Sequence, residues 1–352
     1  MPFVSVVIPL FNKERYIRRC IESVLCQTVQ GFEILVVDDG STDGGGAIAE
    51  SLGDPRIRVF RQENRGVSAA RNRGIAESSG DLVAFLDGDD EWLPQFVEAI
   101  LELYGQYPQS GILATGFRRR KPYEVDTETT LTHPKTGYTH LIPNYLALAM
   151  EGNFITSSSA SVPRTVLNEV GGFIEGEPFG EDRDLWLRIG LRYPIAYDVR
   201  VLAIYHSEAE GRACNGWPVS QLPPAAGTLR RALADGSIAA DRITQAKAYL
   251  DLLRLQYSYW YLNLRDRNGC VRLLAEPYLT PRYRAEAALV RFALGFLPMR
   301  LVAAIRIKPA RLLAAIKRRV TKSRSISRDV ASSCAVMTRP APARMAPQDR
   351  AV

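Results

Sequence analysis

The stretch VSVVIPL, Val4 to Leu10, holds one polar residue in seven, which is the pattern of a strand covered on both faces. KERYIRRCIESVLCQT follows, with Tyr16, Ile17, Cys20, Ile21, Val24 and Leu25 recurring at helical spacing along one side. FEILVVDD is a second apolar strand that ends in two acids and the turn sequence GSTDGGG. RIRVFRQ predicts a shorter third strand, GVSAARNRGIAESS a helix, and DLVAFLD a fourth strand. Pro94 stands where a helix over PQFVEAILELYGQY would begin, and GILATG predicts a fifth strand.

Strands and helices alternating at this spacing predict right-handed βαβ units: an α/β, Rossmann-like, mostly parallel sheet flanked by helices. Ligands of such sheets bind in the crevice outside the C-terminal strand ends. Residues 116–150 read as a polar excursion, and the run RRRK, Arg118 to Lys121, as a solvated face. Beyond it, NFITSSSASVPRTVLNEVGGF predicts a strand, a short helix and a Gly-Gly turn. GEDRDLWLRIGLRYP predicts a helix with acids in its first turn, and IAYDVRVLAIYH one or two strands that close the body near His206. The expected organisation is therefore a body over 1–215 and an α-helical extension over 216–280. Basic amphipathic helices over 281–320 and a disordered, Pro/Ala-rich tail over 321–352 complete it.

Charge sharpens this division. The net charge is +7, yet residues 282–352 hold 16 Lys/Arg against 3 Asp/Glu, so the preceding body is acidic on balance. A nucleic-acid partner for the whole chain loses support. Lys and Arg interleaved with Phe, Leu and Ile between Arg282 and Val320 instead suit the surface of an anionic membrane, or a basic helix packed on the body. Five scattered cysteines without a CxxC pair argue against a disulfide framework or a zinc knuckle and suit a reducing compartment. The N-terminus does not read as a secretory signal, and no stretch supplies the ~18 uncharged apolar residues of a spanning helix. The expected location is the cytoplasm, free or peripheral at the inner face of a membrane.

Acids crowd two strand ends: Asp38 and Asp39 after the second, and Asp87, Asp89 and Asp90 after the fourth, in AFLDGDDEWLP. One acidic strand end is ordinarily a helix cap or a polar turn. Two converging on one crevice favour a site for a divalent cation with a phosphate group. A Mg²⁺ or Mn²⁺ ion bridging two phosphates takes only one or two protein carboxylates. The spacing Asp87-Gly88-Asp89 can supply a metal ligand and a second acid for a hydroxyl, with Gly88 allowing close backbone approach. Glu181 and Asp182, in GEDRD, have a plain reading too, as acids favoured by a helix N-terminus.

Taken in order, SVVIPLFNKERYIRRCIESVLCQT, EILVVDDGSTD, NRGVSAARNRGI, GDLVAFLDGDDEWLP and GEDRDLWLRI resemble the inverting family 2 glycosyltransferases with the GT-A fold, over roughly residues 3–206. The resemblance implies a nucleoside-diphosphate sugar donor, UDP- or dTDP-type favoured, and a Mg²⁺ or Mn²⁺ cofactor. Pro9 and Phe11 would flank the nucleotide, Asp39 would accept the ring N–H of the base, and Arg71 would lie near it. Asp87 would meet the ribose, Asp89 would bind the metal, and Asp182 would be the general base on the acceptor hydroxyl. Glu181 is a candidate to orient that base or touch the acceptor, and His206 to reach the diphosphate or metal. A saccharide or lipid-linked saccharide is the expected acceptor, as in surface-polysaccharide assembly. The chain lacks the Q-x-x-R-W motif and membrane helices of processive members, so addition of a single sugar is expected. A nucleotidylyltransferase would need a glycine-rich loop where PLFNKERY stands, and a non-catalytic sugar-nucleotide binder or membrane-tethered scaffold would be free to lose Asp89 or Asp182.

Overall fold

A computed structural model describes residues 2–121, 125–131, 138–177, 179–210, 222–264 and 266–296. The chain lays down β1 (Val4–Leu10), α1 (Glu14–Leu25), β2 (Phe32–Asp38), α2 (Gly45–Ser51), β3 (Ile57–Arg61), α3 (Val67–Glu77) and β4 (Leu82–Phe85). It continues through β5 (Glu91–Trp92), α4 (Phe96–Gln106), β6 (Ile112–Arg120), β7 (Thr127–Thr129), β8 (Thr139–Ile142) and α5 (Tyr145–Glu151). Then come β9 (Ala160–Pro163), α6 (Arg164–Val170), α7 (Glu181–Gly190) and β10 (Ile195–His206). Four helices follow: α8 (Pro224–Ala234), α9 (Ile243–Asn263), α10 (Arg267–Ala275) and α11 (Pro281–Phe296).

The described strands form one sheet in the order β3-β2-β1-β4-β9-β6-β10-β5, with β7 beside β6 and β8 beside β10. β1 pairs in parallel with β2 and β4, and β2 with β3, so their C-terminal ends share one edge. Every residue of β1 and β2 is buried, as the apolar runs predict for strands covered on both sides. Alternation divides them: Val4, Val6, Ile8 and Leu10 enter one core with Ile17, Ile21 and Val24 of α1, while Val7 enters the other with Phe85 and Trp186.

Two features depart from the expected arrangement. β9 is antiparallel to both neighbours and inserts between β4 and β6, so the sheet is mixed rather than a plain doubly wound one. The four residues of β9 lie in a polar, serine-rich stretch whose burial depends on what packs around it. The polar excursion after residue 116 is also more ordered than its composition suggests. β6 runs on to Arg120, and β7 and β8 pair onto the sheet, because β6 and β10 offer free edges there.

The helical extension is not a separate globule. Ala225, Ala226 and Leu229 of α8 and Ala246, Tyr249 and Leu253 of α9 are buried in the same core as Trp186 and Leu187 of α7. The described part of the basic segment, α11, buries Tyr283, Ala287, Val290 and Leu294 against α9 and α10. The expected second half of that segment, 297–320, and the tail over 321–352 lie outside the described residues. No helix among the described residues is long and apolar enough to cross a membrane.

Helix α3 lies unusually close to the sheet, since a Cβ at Gly74 would sit 2.3 Å from Val7 Cγ1 and 2.9 Å from Cγ2. Val7 is a fully buried, β-branched residue of a central strand, so its methyl groups have little room to turn aside. Gly74→Ala is expected to destabilise the protein by about 1–3 kcal/mol in urea denaturation despite alanine's better helix propensity. An unchanged midpoint would contradict the close approach of α3 to β1.

Candidate active site

The loops after β1 and β2 hold each other before they hold anything else. Asn12 takes a positive φ of 51°, and its side-chain oxygen accepts from the Thr42 backbone N–H at 2.8 Å. In return, Ser41 Oγ accepts from the Asn12 N–H at 3.1 Å. A left-handed turn suits asparagine better than most residues. Phe11, one position earlier, is 44% exposed, while Pro9 is buried in β1.

Asp39 is buried at the C-terminal end of β2. Its Oδ1 accepts from Gln62 Nε2 at 2.8 Å and the Arg65 N–H at 3.0 Å, and its Oδ2 from the Gly66 N–H at 2.8 Å. It thus fixes the loop that leads into α3 and leaves about one of its four acceptor sites uncommitted, on Oδ2.

The acidic turn after β4 is bound to four elements. The Asp90 N–H donates to the Asp87 carbonyl at 2.8 Å, closing the turn. Gly88 faces β1: a Cβ there would stand 3.1 Å from the Pro9 carbonyl oxygen. Arg71, reaching from α3 and only 3% exposed, donates to Asp87 Oδ1 at 2.6 Å and to Glu181 Oε1 at 2.7 Å. Its guanidinium also lies 5.1 Å from the centre of the Phe173 ring. Burial opposes the Arg71 charge, but Asp87 and Glu181 outweigh it and raise the pKa above the usual arginine value. Lys13, just after β1, donates to Asp89 Oδ2 at 2.7 Å, and Arg19 of α1 donates to the Asp89 carbonyl at 2.6 Å.

Asp90 braces the turn from within the protein. It is buried, accepting from Ser158 Oγ at 2.5 Å and from the His206 backbone N–H at 2.9 Å. Burial, then the charges of Asp89 and Asp87, push its carboxyl well above the ordinary range. His206 is buried beside it, its ring held between Glu208 Oε1 on Nδ1 at 2.6 Å and Glu91 Oε1 on Nε2 at 2.8 Å. Both ring nitrogens are engaged there.

Glu181 and Asp182 open α7 behind Gly180, whose φ of 81° lets the chain turn sharply into the helix. Asp182 is partly exposed and accepts from the Arg183 N–H at 2.7 Å. Burial, then the neighbouring Glu181, raise its pKa to about 6. The rest of the helix is anchored: Trp186 is fully buried against Phe85 and Phe173, and Asp184 accepts from Arg188 Nε at 2.7 Å and Thr228 Oγ1 at 2.5 Å.

The structure therefore brings Arg71, Asp87 and Glu181 into one hydrogen-bonded row, with Asp89 beside Asp87 and Asp182 beside Glu181. Asp39, Pro9 and Phe11 stand at the neighbouring strand ends. Among the described residues, no group of three or more His, Cys, Asp or Glu could hold a metal alone. A diphosphate-borne cation needs fewer, and Asp89 fits as a single carboxylate ligand: its Oδ2 faces Lys13 and no donor among the described residues meets its Oδ1. Sequence reasoning missed Lys13, Ser158, Glu91 and Glu208. Lys13 could have been found, standing two positions after Phe11 in the loop; Ser158 and Glu91 gain meaning only through contacts across the sheet, and Glu208 only through the His206 ring two positions before it.

With this geometry in hand, the comparisons agree. A family model, Glycosyl transferase family 2, matches residues 5–168. An uncharacterized glycosyltransferase of Rickettsia felis is 33% identical over 217 residues, covering 59% of this chain and 35% of that protein. The glycosyltransferase GlyA of Streptococcus pneumoniae is 43% identical over 107 residues, 30% of this chain and 15% of GlyA. The chain thus spans about a third or less of these two relatives. Among solved structures, S. aureus TarS 1–349 in complex with UDP-GlcNAc superposes with a TM-score of 0.65 at 17% identity, covering 88% of this chain and 92% of that one. That likeness extends the shared fold into the helical region. The chain carries a family 2 glycosyltransferase domain with the GT-A fold.

Proposed function

We propose that the protein moves a single sugar from a nucleoside-diphosphate sugar to a hydroxyl of a saccharide or lipid-linked saccharide, with inversion at the anomeric carbon. Such a transfer is one displacement without an enzyme nucleophile. It requires a base for the incoming hydroxyl and charge compensation for the departing diphosphate. One observation carries the assignment: Asp182, a carboxyl raised to about 6, stands next to the Glu181–Arg71–Asp87 row that leads to the acidic turn. A base titrating near neutrality is deprotonated when needed and still takes up a proton readily.

Asp87 is assigned to the ribose and Asp89 to a Mg²⁺ or Mn²⁺ ion on the diphosphate, with Pro9, Phe11, Asp39 and Arg71 around the nucleotide. When bound, the cation would neutralise charge gathering on the leaving group. Lys13 would give up or share its contact with Asp89 on donor binding and remain as a second positive group beside the phosphates. Arg71 holds Glu181 and, through it, the start of α7 that carries Asp182. His206, held between two carboxylates, is assigned to supporting the acidic turn rather than to touching the donor. The complex of TarS with UDP-GlcNAc supports a uridine-type donor. In α11, Tyr283, Ala287, Val290 and Leu294 are committed to packing and are not available to a lipid surface.

Release of nucleoside diphosphate from the cognate sugar donor tests the role of Asp182. The carboxylate must be unprotonated to accept a proton, so kcat is expected to fall as pH drops through about 6, the value to which Asp182 is raised, and to level off above it. Asp182→Asn is expected to lower kcat by about 10²–10⁴ while donor affinity persists. A flat profile across that range, or a fully active variant, would leave only a sugar-nucleotide-binding protein.

A further inference from the structure

Arg183 follows Asp182 directly, and its side chain lines a cavity of about 150 Å³. Tyr145 of α5, Asn153 just beyond that helix, and Tyr249 and Gln256 of α9 contribute the cavity's polar wall, with Glu151 exposed at its margin. A cavity of this volume takes a group of about six heavy atoms, the size of a benzene ring.

Arg183 differs from the arginines that brace the body in lacking a paired acid. Arg71 has Asp87 and Glu181, Arg188 has Asp184, Arg200 has Asp198 and Glu102, and Arg254 has Asp251. Among the described residues no carboxylate oxygen comes within 4.0 Å of the Arg183 guanidinium. Burial disfavours its charge, yet the neighbouring Asp182 carboxylate holds its pKa above the ordinary value. Tyr145 and Tyr249 are themselves pushed upward, first of all by burial, and remain neutral hydroxyls. A fixed cation among neutral hydroxyl and amide groups, in a space open to a small group, is complementary to an oxyanion.

Given Asp182 as the base, we propose that this cavity is an acceptor subsite: it receives an oxyanion, a phosphate ester or a carboxylate, carried by the acceptor close to the hydroxyl that is deprotonated. The helical extension then has a direct part in acceptor choice, because α9 supplies Tyr249 and Gln256. Neutral acceptors would leave a desolvated charge without a partner and bind worse.

The test is calorimetric titration of the full chain, saturated with UDP to block the donor site, with phenyl phosphate, benzoate and benzyl alcohol in turn. At least one anion is expected to bind saturably and benzyl alcohol not to. Which anion binds more tightly separates phosphate from carboxylate recognition. Arg183→Gln is expected to weaken the anion by about tenfold or more, with UDP affinity unchanged. Arg183→Lys should keep part of the affinity, and Tyr249→Phe, which preserves the wall and removes one hydroxyl, should lose a smaller factor. No saturable anion binding to the wild type, or equal binding to Arg183→Gln, would overturn the subsite while leaving the donor reading intact. Failure of UDP to bind the wild type would instead remove the donor reading, whatever the anions do.

Discussion

A charged guanidinium buried in the protein interior governs this site. Arg71 is nearly inaccessible to water, and a cation so placed persists only if carboxylates surround it. Asp87 comes to it from the end of β4 and Glu181 from the start of α7, elements 94 residues apart by the hydrogen-bonded pairs that join them. Removing one partner of a buried pair of this kind typically costs about 3–5 kcal/mol, because the other charge is left uncompensated. The chain is therefore held to one relative placement of the acidic turn and α7, and with it to one spacing between Asp89 and Asp182.

The crowded acids of FLDGDDEW make sense in the same terms. Asp87 is compensated by Arg71 and Asp89 by Lys13, while Asp90 is buried under Ser158 and the His206 backbone with its carboxyl pushed upward. Each acid has a different environment, so three neighbours that would repel one another in water take three roles. Asp87, through Oδ2, and Asp89, through Oδ1, each keep an oxygen that no donor among the described residues meets, and Asp89 is the one we assign to a cation. On the other flank, the rise of Asp182 to about 6 depends on burial beside Glu181, whose own charge is spoken for by Arg71. The acidic turn and the start of α7 thus share a single arginine.

Much of this was legible in the sequence because it is local. The apolar runs of β1, β2 and β4, the Ile17–Cys20–Ile21–Val24 stripe of α1 and the acids at strand ends are fixed by neighbours a few residues away. What was not legible depends on distant partners. The serine-rich segment of β9 predicts a strand, but not its antiparallel place between β4 and β6, which only those distant strands define. His206 is a candidate in sequence to reach the diphosphate or metal, but the hold of Glu91 and Glu208 on its ring is not readable there. Residues 225–280 looked like an appendage, but small residues such as Ala225 and Ala226 let α8 press against α7 and merge the two cores.

Titration calorimetry of UDP, with and without Mn²⁺, on the wild type and Asp89→Ala tests the central assignment most directly. Saturable binding that strengthens with Mn²⁺, and loses that metal dependence in Asp89→Ala, is the expected result. Binding that ignores both the metal and the substitution would leave a nucleotide site without a role for Asp89. No binding of UDP under any condition would contradict the account of the acidic turn as a uridine-nucleotide site.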